Sequence, residues 1–145
     1  MKKIIFPGLV AGVVLLILSI LGLYINIWFF PDLAMQYFQP TFNEQSSRIM
    51  LYFIHPFIIA MALSWFWNRT KSKLTGSFFT RGIEFGIIYS LMATLPSMWL
   101  VFSSITVSLT MVITWFLLGV FQAIVAGLVC EKMNPYIPVE NINRI

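Results

Sequence analysis

The sequence predicts an all-α protein: an integral membrane four-helix bundle with both termini cytoplasmic. Three observations predict it. Hydrophobic residues make up 59% of the 145-residue chain and charged residues only 10%, whereas a soluble domain carries about a quarter charged residues. Long stretches lack Asp, Glu, Lys and Arg altogether. The basic residues, once sorted by position, gather on one side of the spans that those stretches define.

The first span is the run of 28 uncharged residues from Ile4 to Pro31, which at about 1.5 Å per residue crosses a hydrocarbon core of roughly 30 Å with some tilt. Its start, Lys2 and Lys3 before an apolar run, has the charge order of a signal peptide. The run is longer than a signal core, ends in bulky Trp28, Phe29 and Phe30, and lacks a small-residue cleavage site, so it is expected to be retained. The second span covers Ile49 to Asn68, where His55 is the sole ionisable group. Upstream, Thr41 and Glu44 stand at capping-box spacing and predict that this helix starts outside the membrane. The third charge-free run, 46 residues from Phe85 to Cys130, accommodates two spans joined by a turn near Ser103 and Ser104, with the third span starting near Ser77 or Thr80. The expected spans are 4–30, 47–67, 78–102 and 105–131, in a single domain over 1–145.

Lys2, Lys3, Arg69, Lys71, Lys73, Arg81, Lys132 and Arg144, eight of the nine basic residues, fall on the side that holds both termini and the 69–81 loop. Short cytoplasmic loops collect Lys and Arg, so that side is expected to be cytoplasmic, with the loop positioned to meet anionic headgroups. The net charge of +4 is a topology signal, and no nucleic-acid partner is expected. Trp28 to Phe30 and Trp99 with Phe102 mark the outer interface; Trp65 to Trp67 mark the inner one. Trp115, mid-span, is expected to pack in the bundle or face a cavity.

Helices associate in lipid through close packing and interhelical hydrogen bonds, which favours small residues at contacts. Gly8, Gly12, Ser19, Gly22 and Asn26 form such a stripe on span one; Gly82, Gly86, Ser90, Ala93 and Ser97 form one on span three; Gly119, Ala123 and Gly127 form one on span four. These faces are expected either to build the bundle itself or to join it to a second copy or a larger complex. Pro56 and Pro96 cannot donate to Tyr52 and Met92, so a bend is expected at each, with Thr94 and Ser97 placed to recapture the freed carbonyl.

Five carboxylates, one histidine and one cysteine leave little material for a metal cluster or catalytic triad, and no phosphate loop, HExxH helix or nucleophile elbow occurs. Neither an enzyme, a cofactor nor a metal site is expected. Two ionisable groups remain inside the spans. His55 can relay protons or ligate a metal or haem, and Tyr24, Asn26 and Thr94 lie at depths that allow a polar cluster around it. Its structural alternative is a hydrogen-bonded histidine shaping the Pro56 kink. Glu84 can exchange protons or hold a cation; its structural alternative is a local pair with Arg81, with Gln122 as a hydrogen-bonding partner. Cys130 and the eight methionines are expected to be packing residues.

The Lys-Lys start, the Gly8 and Gly12 stripe, the Tyr24–Asn26 segment, the aromatic span end and the Gly-rich later spans together resemble the small four-helix bacterial inner-membrane proteins of unknown function. That resemblance implies a bacterial inner (plasma) membrane location. The small multidrug-resistance exporters are similar in size and span count but use a glutamate in span one, which this chain lacks. The functional expectation is a non-enzymatic accessory or interaction subunit in the lipid bilayer, associating through its small-residue faces as a homo-oligomer or in a larger complex. The alternative is a small transporter or ligand-binding protein with a polar cavity around His55 and Asn26.

Overall fold

The computed structural model describes residues 2–36 and 49–136. Among these residues every regular element is helical: α1 (Lys2–Phe29), α2 (Pro31–Gln36), α3 (Ile49–Thr70), α4 (Phe78–Tyr89), a π-helical segment (Ser90–Thr94), α5 (Leu95–Ser104) and α6 (Leu109–Met133). α4, the π segment and α5 run on as one helix, so four helices, Lys2–Phe29, Met50–Thr70, Phe78–Ser104 and Leu109–Met133, are long and apolar enough to cross a membrane. The Thr41–Glu44 capping box lies outside the described residues. The turn expected near Ser103 and Ser104 falls just after Ser104, where Ser108 then caps α6 by accepting a hydrogen bond from the Met111 amide.

Asn134, just beyond α6, bonds to Lys3 in α1 and Asn68 in α3, and Arg81 in α4 pairs with Glu131 in α6. The starts of α1 and α4 and the ends of α3 and α6 therefore share one end of the bundle, here the basic end. α1 packs most extensively on α3 and α4 on α6, while α6 also touches α1 and α3. The core runs through Ala11, Leu15, Ala60, Leu63, Trp67, Phe85, Ala126 and Cys130. Trp67 is a correction to the expected inner aromatic belt. It is fully buried, with its ring edge-on to Phe85 at 5.1 Å, whereas Trp65 remains half exposed under the Arg69 guanidinium.

The glycine stripes are consumed inside this bundle. A Cβ on Gly8 would lie 2.5 Å from Met61 Sδ, and one on Gly12 would lie 2.5 Å from Phe57, both on α3. A Cβ on Gly82 would collide with Leu128, and one on Gly127 would stand 2.9 Å from the Gly82 carbonyl oxygen. Gly86 is closer still, because its Cβ would fall 2.7 Å from both Cα and N of Ile124. Such backbone approach is how membrane helices gain dispersion contact where burial from water contributes nothing. A Cβ on Gly119 would lie 2.9 Å from the Thr94 methyl, whereas one on Gly22 would lie 3.7 Å from Leu118, an ordinary contact.

Pro96 produces something other than a simple bend. The Leu95 amide reaches back five residues to the Ser90 carbonyl, so the wide turn closes immediately before Pro96, which stands at the start of α5 and has no N–H to give. The extra residue in that turn shifts the register of everything after it. Ser90 is buried and its hydroxyl donates to the Gly86 carbonyl (2.7 Å). Ser97, expected on the same stripe, is exposed. Neither it nor Thr94 recaptures the Met92 carbonyl.

Candidate functional site

The six polar candidates are not gathered into one cluster. Tyr24 is 60% exposed, and the Asn26 side chain turns back along its own helix to donate to the Gly22 carbonyl (2.8 Å). His55 is exposed on α3 and makes no hydrogen bond among the described residues. Thr94 packs its methyl group on Gly119 of α6. No hydrogen bond or ion pair joins any two of the six among the described residues.

Gln122 and Glu84, expected to pair, are separate. Gln122 Nε2 donates to Ser19 Oγ (2.9 Å), which donates in turn to the Leu15 carbonyl (2.8 Å). Tyr52 from α3 donates to the Ser19 carbonyl at 3.4 Å, so Ser19 is the polar junction of α1, α3 and α6. Glu84 does not pair with Arg81 either. Glu84 is half-buried on an open face of α4 that it shares with Thr80, Ile83, Ile87 and Ile88. Arg81 rotates away because a stronger acceptor set lies inward: Nη1 contacts Glu131 Oε1 at 2.5 Å and Nη2 donates to the Lys71 carbonyl at 2.8 Å.

Around that ion pair lies a polar cluster that neither local spacing nor charge counting anticipates. The Arg81 guanidinium lies 5.8 Å from the Trp67 ring centroid and 5.9 Å from that of Tyr136, both within cation–π range. Trp67 Nε1 donates to the Asn134 carbonyl (3.1 Å), and Lys71 Nζ donates to the Asn134 side chain (2.6 Å). Asn134 Nδ2 donates to the Lys3 carbonyl (3.0 Å). That acceptor exists because Pro7, four residues on within α1, has no N–H to give it. Pro7 was the readable signal; its remote donor was not. Burial and the nearby Lys3 charge hold the Lys71 ammonium below the usual lysine range, with Glu131 pulling the other way. Ser64, buried beside this cluster, donates to the Ile4 carbonyl (2.7 Å). Together these bonds tie all four long helices at the basic end.

The opposite end is bound on one side only. Leu33 and Ala34 of α2 are buried, as are Met111 and Val112 at the start of α6, and Ser108 Oγ donates to Gln36 Oε1 at 2.7 Å. On α3, by contrast, every residue from Met50 to His55 is exposed, and α5 has no buried residue at all, with Trp99 at 76%. α5 rests on α6 and has no extensive contact with α3.

Among the described residues no three His, Cys, Asp or Glu side chains converge as metal ligands, and Cys130 is a buried free thiol. Comparison with protein-family models, curated proteins and solved structures finds no match for this chain.

Proposed function

We propose that the protein is a non-enzymatic, multi-pass subunit of a bacterial inner membrane that acts by associating with another transmembrane segment through the outer halves of α3 and α5. The observation that carries this reading is His55. It stands five residues from the start of the Met50–Thr70 span, about 7–8 Å along the helix axis, exposed and without a partner among the described residues. Ionisable side chains at membrane depth almost always face protein or water, since hydrocarbon offers an imidazole neither a donor nor an acceptor. A neighbouring helix that supplies one removes that cost. The small-residue stripes do not compete for this role: Gly8, Gly12, Gly82, Gly86 and Gly127 already meet helices of this chain, whereas His55 and Ile58 on α3 and Trp99 on α5 are exposed. The partner is a second copy or a larger membrane complex.

The test is site-specific photocrosslinking in native membranes. A photoreactive residue at position 55 or 58 should give a discrete protein adduct, and co-expressing two tagged forms tells self-association from a different partner. The same probe at Ile17, exposed on α1, serves as the lipid-facing control. Adducts at 55 and 58 no stronger than at 17 would overturn the proposal.

Orientation follows from the charge asymmetry, with the basic end in the cytoplasm. Green fluorescent protein fused after Ile145 should fluoresce, and alkaline phosphatase at the same place should be inactive. The reverse pattern would reject this topology.

A further inference from the structure

We propose that α3 carries a heptad seam, Leu51, His55, Ile58, Ala62 and Trp65, by which two copies of the chain pair in parallel, with their two His55 imidazoles hydrogen-bonded to each other. The inference rests on the association proposed above for the outer half of α3, and it names the partner as a second copy. α3 presents two stripes. Pro56, Ala60, Leu63 and Trp67 are buried against the other helices of the chain. The seam residues are all exposed and recur at alternating spacings of four and three, the period of a left-handed helix pair crossing at about 20°. Through the middle of α1 and of α6 the exposed residues instead step by four, as Leu9, Val13, Ile17 and Leu21, and as Ile113, Leu117 and Phe121. Each such step turns about 40° around the helix, so these residues form no straight seam. They are also uniformly large and apolar, as a lipid-facing surface requires, whereas the seam on α3 includes an imidazole and an alanine.

Electrostatic complementarity identifies the occupant. Two copies inserted the same way, about a two-fold axis along the membrane normal, bring identical residues to equal depth. The group that meets His55 across the seam is therefore a second His55. A neutral imidazole carries one donor and one acceptor, so one copy donates and the other accepts, which supplies what hydrocarbon lacks. A single polar residue at a seam position likewise fixes register and strand number in soluble heptad pairs. Ala62, one heptad on from His55, lets the two backbones approach. From Leu51 to Trp65 the seam runs for about 21 Å of helix. That is at least the length over which α1 is fastened to α3, between the Ser64–Ile4 and Tyr52–Ser19 bonds, so the seam is long enough to hold a pair.

Energy transfer between donor-labelled and acceptor-labelled full-length protein in lipid vesicles measures the pairing, with added lipid as the dilution series. Transfer that saturates at low lipid and falls on dilution is expected. His55→Leu should raise the Kd about fivefold or more, the worth of an interhelical hydrogen bond, while His55→Asn, which keeps a donor and an acceptor, should pair nearly as well as the wild type. Ala62→Phe should raise the Kd about tenfold by holding the backbones apart, and Ile17→Phe should leave it unchanged. Positions 55 and 62 are exposed in the single chain, so these variants should keep its helix content and melting temperature. Leu51→Cys, Ile58→Cys and Ala62→Cys should each crosslink two copies, and Phe53→Cys, on the opposite side of α3, should not; buried Cys130 sets the background. The inference is overturned by transfer no greater than random proximity gives, by wild-type pairing in both His55→Leu and Ala62→Phe, or by crosslinking at 53 as strong as at 58. Discrete photoadducts at position 55 to a different protein, without transfer between copies, would overturn the second copy and leave the association standing. The absence of any adduct would overturn both.

Discussion

Gly86→Ala should separate α4 from α6 and lower stability by about 1–3 kcal/mol, the usual range for overpacking a close contact. The added methyl would lie 2.7 Å from Cα and N of Ile124. Those atoms belong to the backbone of the helix that touches α1, α3 and α4, so relief requires a helix to move rather than a side chain to rotate. Gly22→Ala is the matched control. Its methyl would meet Leu118 at 3.7 Å, an ordinary contact, and alanine is the better helix former, so the change should be neutral or slightly stabilising. Denaturant titration of both variants in detergent micelles distinguishes them. Equal stabilities would mean that α4 and α6 are not packed backbone to backbone.

The second large effect belongs to the Arg81–Glu131 pair. Arg81→Leu alone, or Glu131→Leu alone, should cost about 3–5 kcal/mol, because each leaves the other charge buried without its partner. The two side chains are only 10% and 8% exposed, so water does little to compensate. The pair is also imperfectly bonded, with Arg81 Nε and Glu131 Oε2 buried and unpartnered. The double variant Arg81→Leu/Glu131→Leu removes both charges and both orphaned atoms, and should recover much of the loss. A double-mutant cycle measured by unfolding in detergent tests this. Strictly additive single losses would show that the two residues act independently.

Hydropathy made the four long helices legible, since 20 or more apolar residues in a row have few other solutions. It located the ends less well. Span two was expected to finish at 67 and α3 continues to Thr70, because hydrogen bonding carries a helix past the point where hydrocarbon stops requiring it. Trp67 illustrates the same limit: a tryptophan at a span end reads as an interfacial anchor, but Phe85 and the Asn134 carbonyl give it an interior place. The Arg81 partner was missed for another reason. The i, i+3 rule proposed Glu84, three residues away, and the bonded acid is 50 residues away. A local rule competes badly with a buried acceptor brought close by tertiary structure. The π turn was hidden behind Pro96, which announced an interruption without saying that a residue would be inserted.

Asn134 also imposes an order on events. Its side chain closes on a carbonyl 131 residues earlier, and its own carbonyl receives the Trp67 indole. Chains emerge from the ribosome amino end first. The Lys3 carbonyl therefore stays open until every later helix has been made, because its donor lies beyond them all. A chain stalled short of position 134 lacks the bonds that Asn134 makes to Lys3, Asn68 and Lys71 and the carbonyl that receives the Trp67 indole, while the Arg81–Glu131 and Ser64–Ile4 contacts do not depend on it.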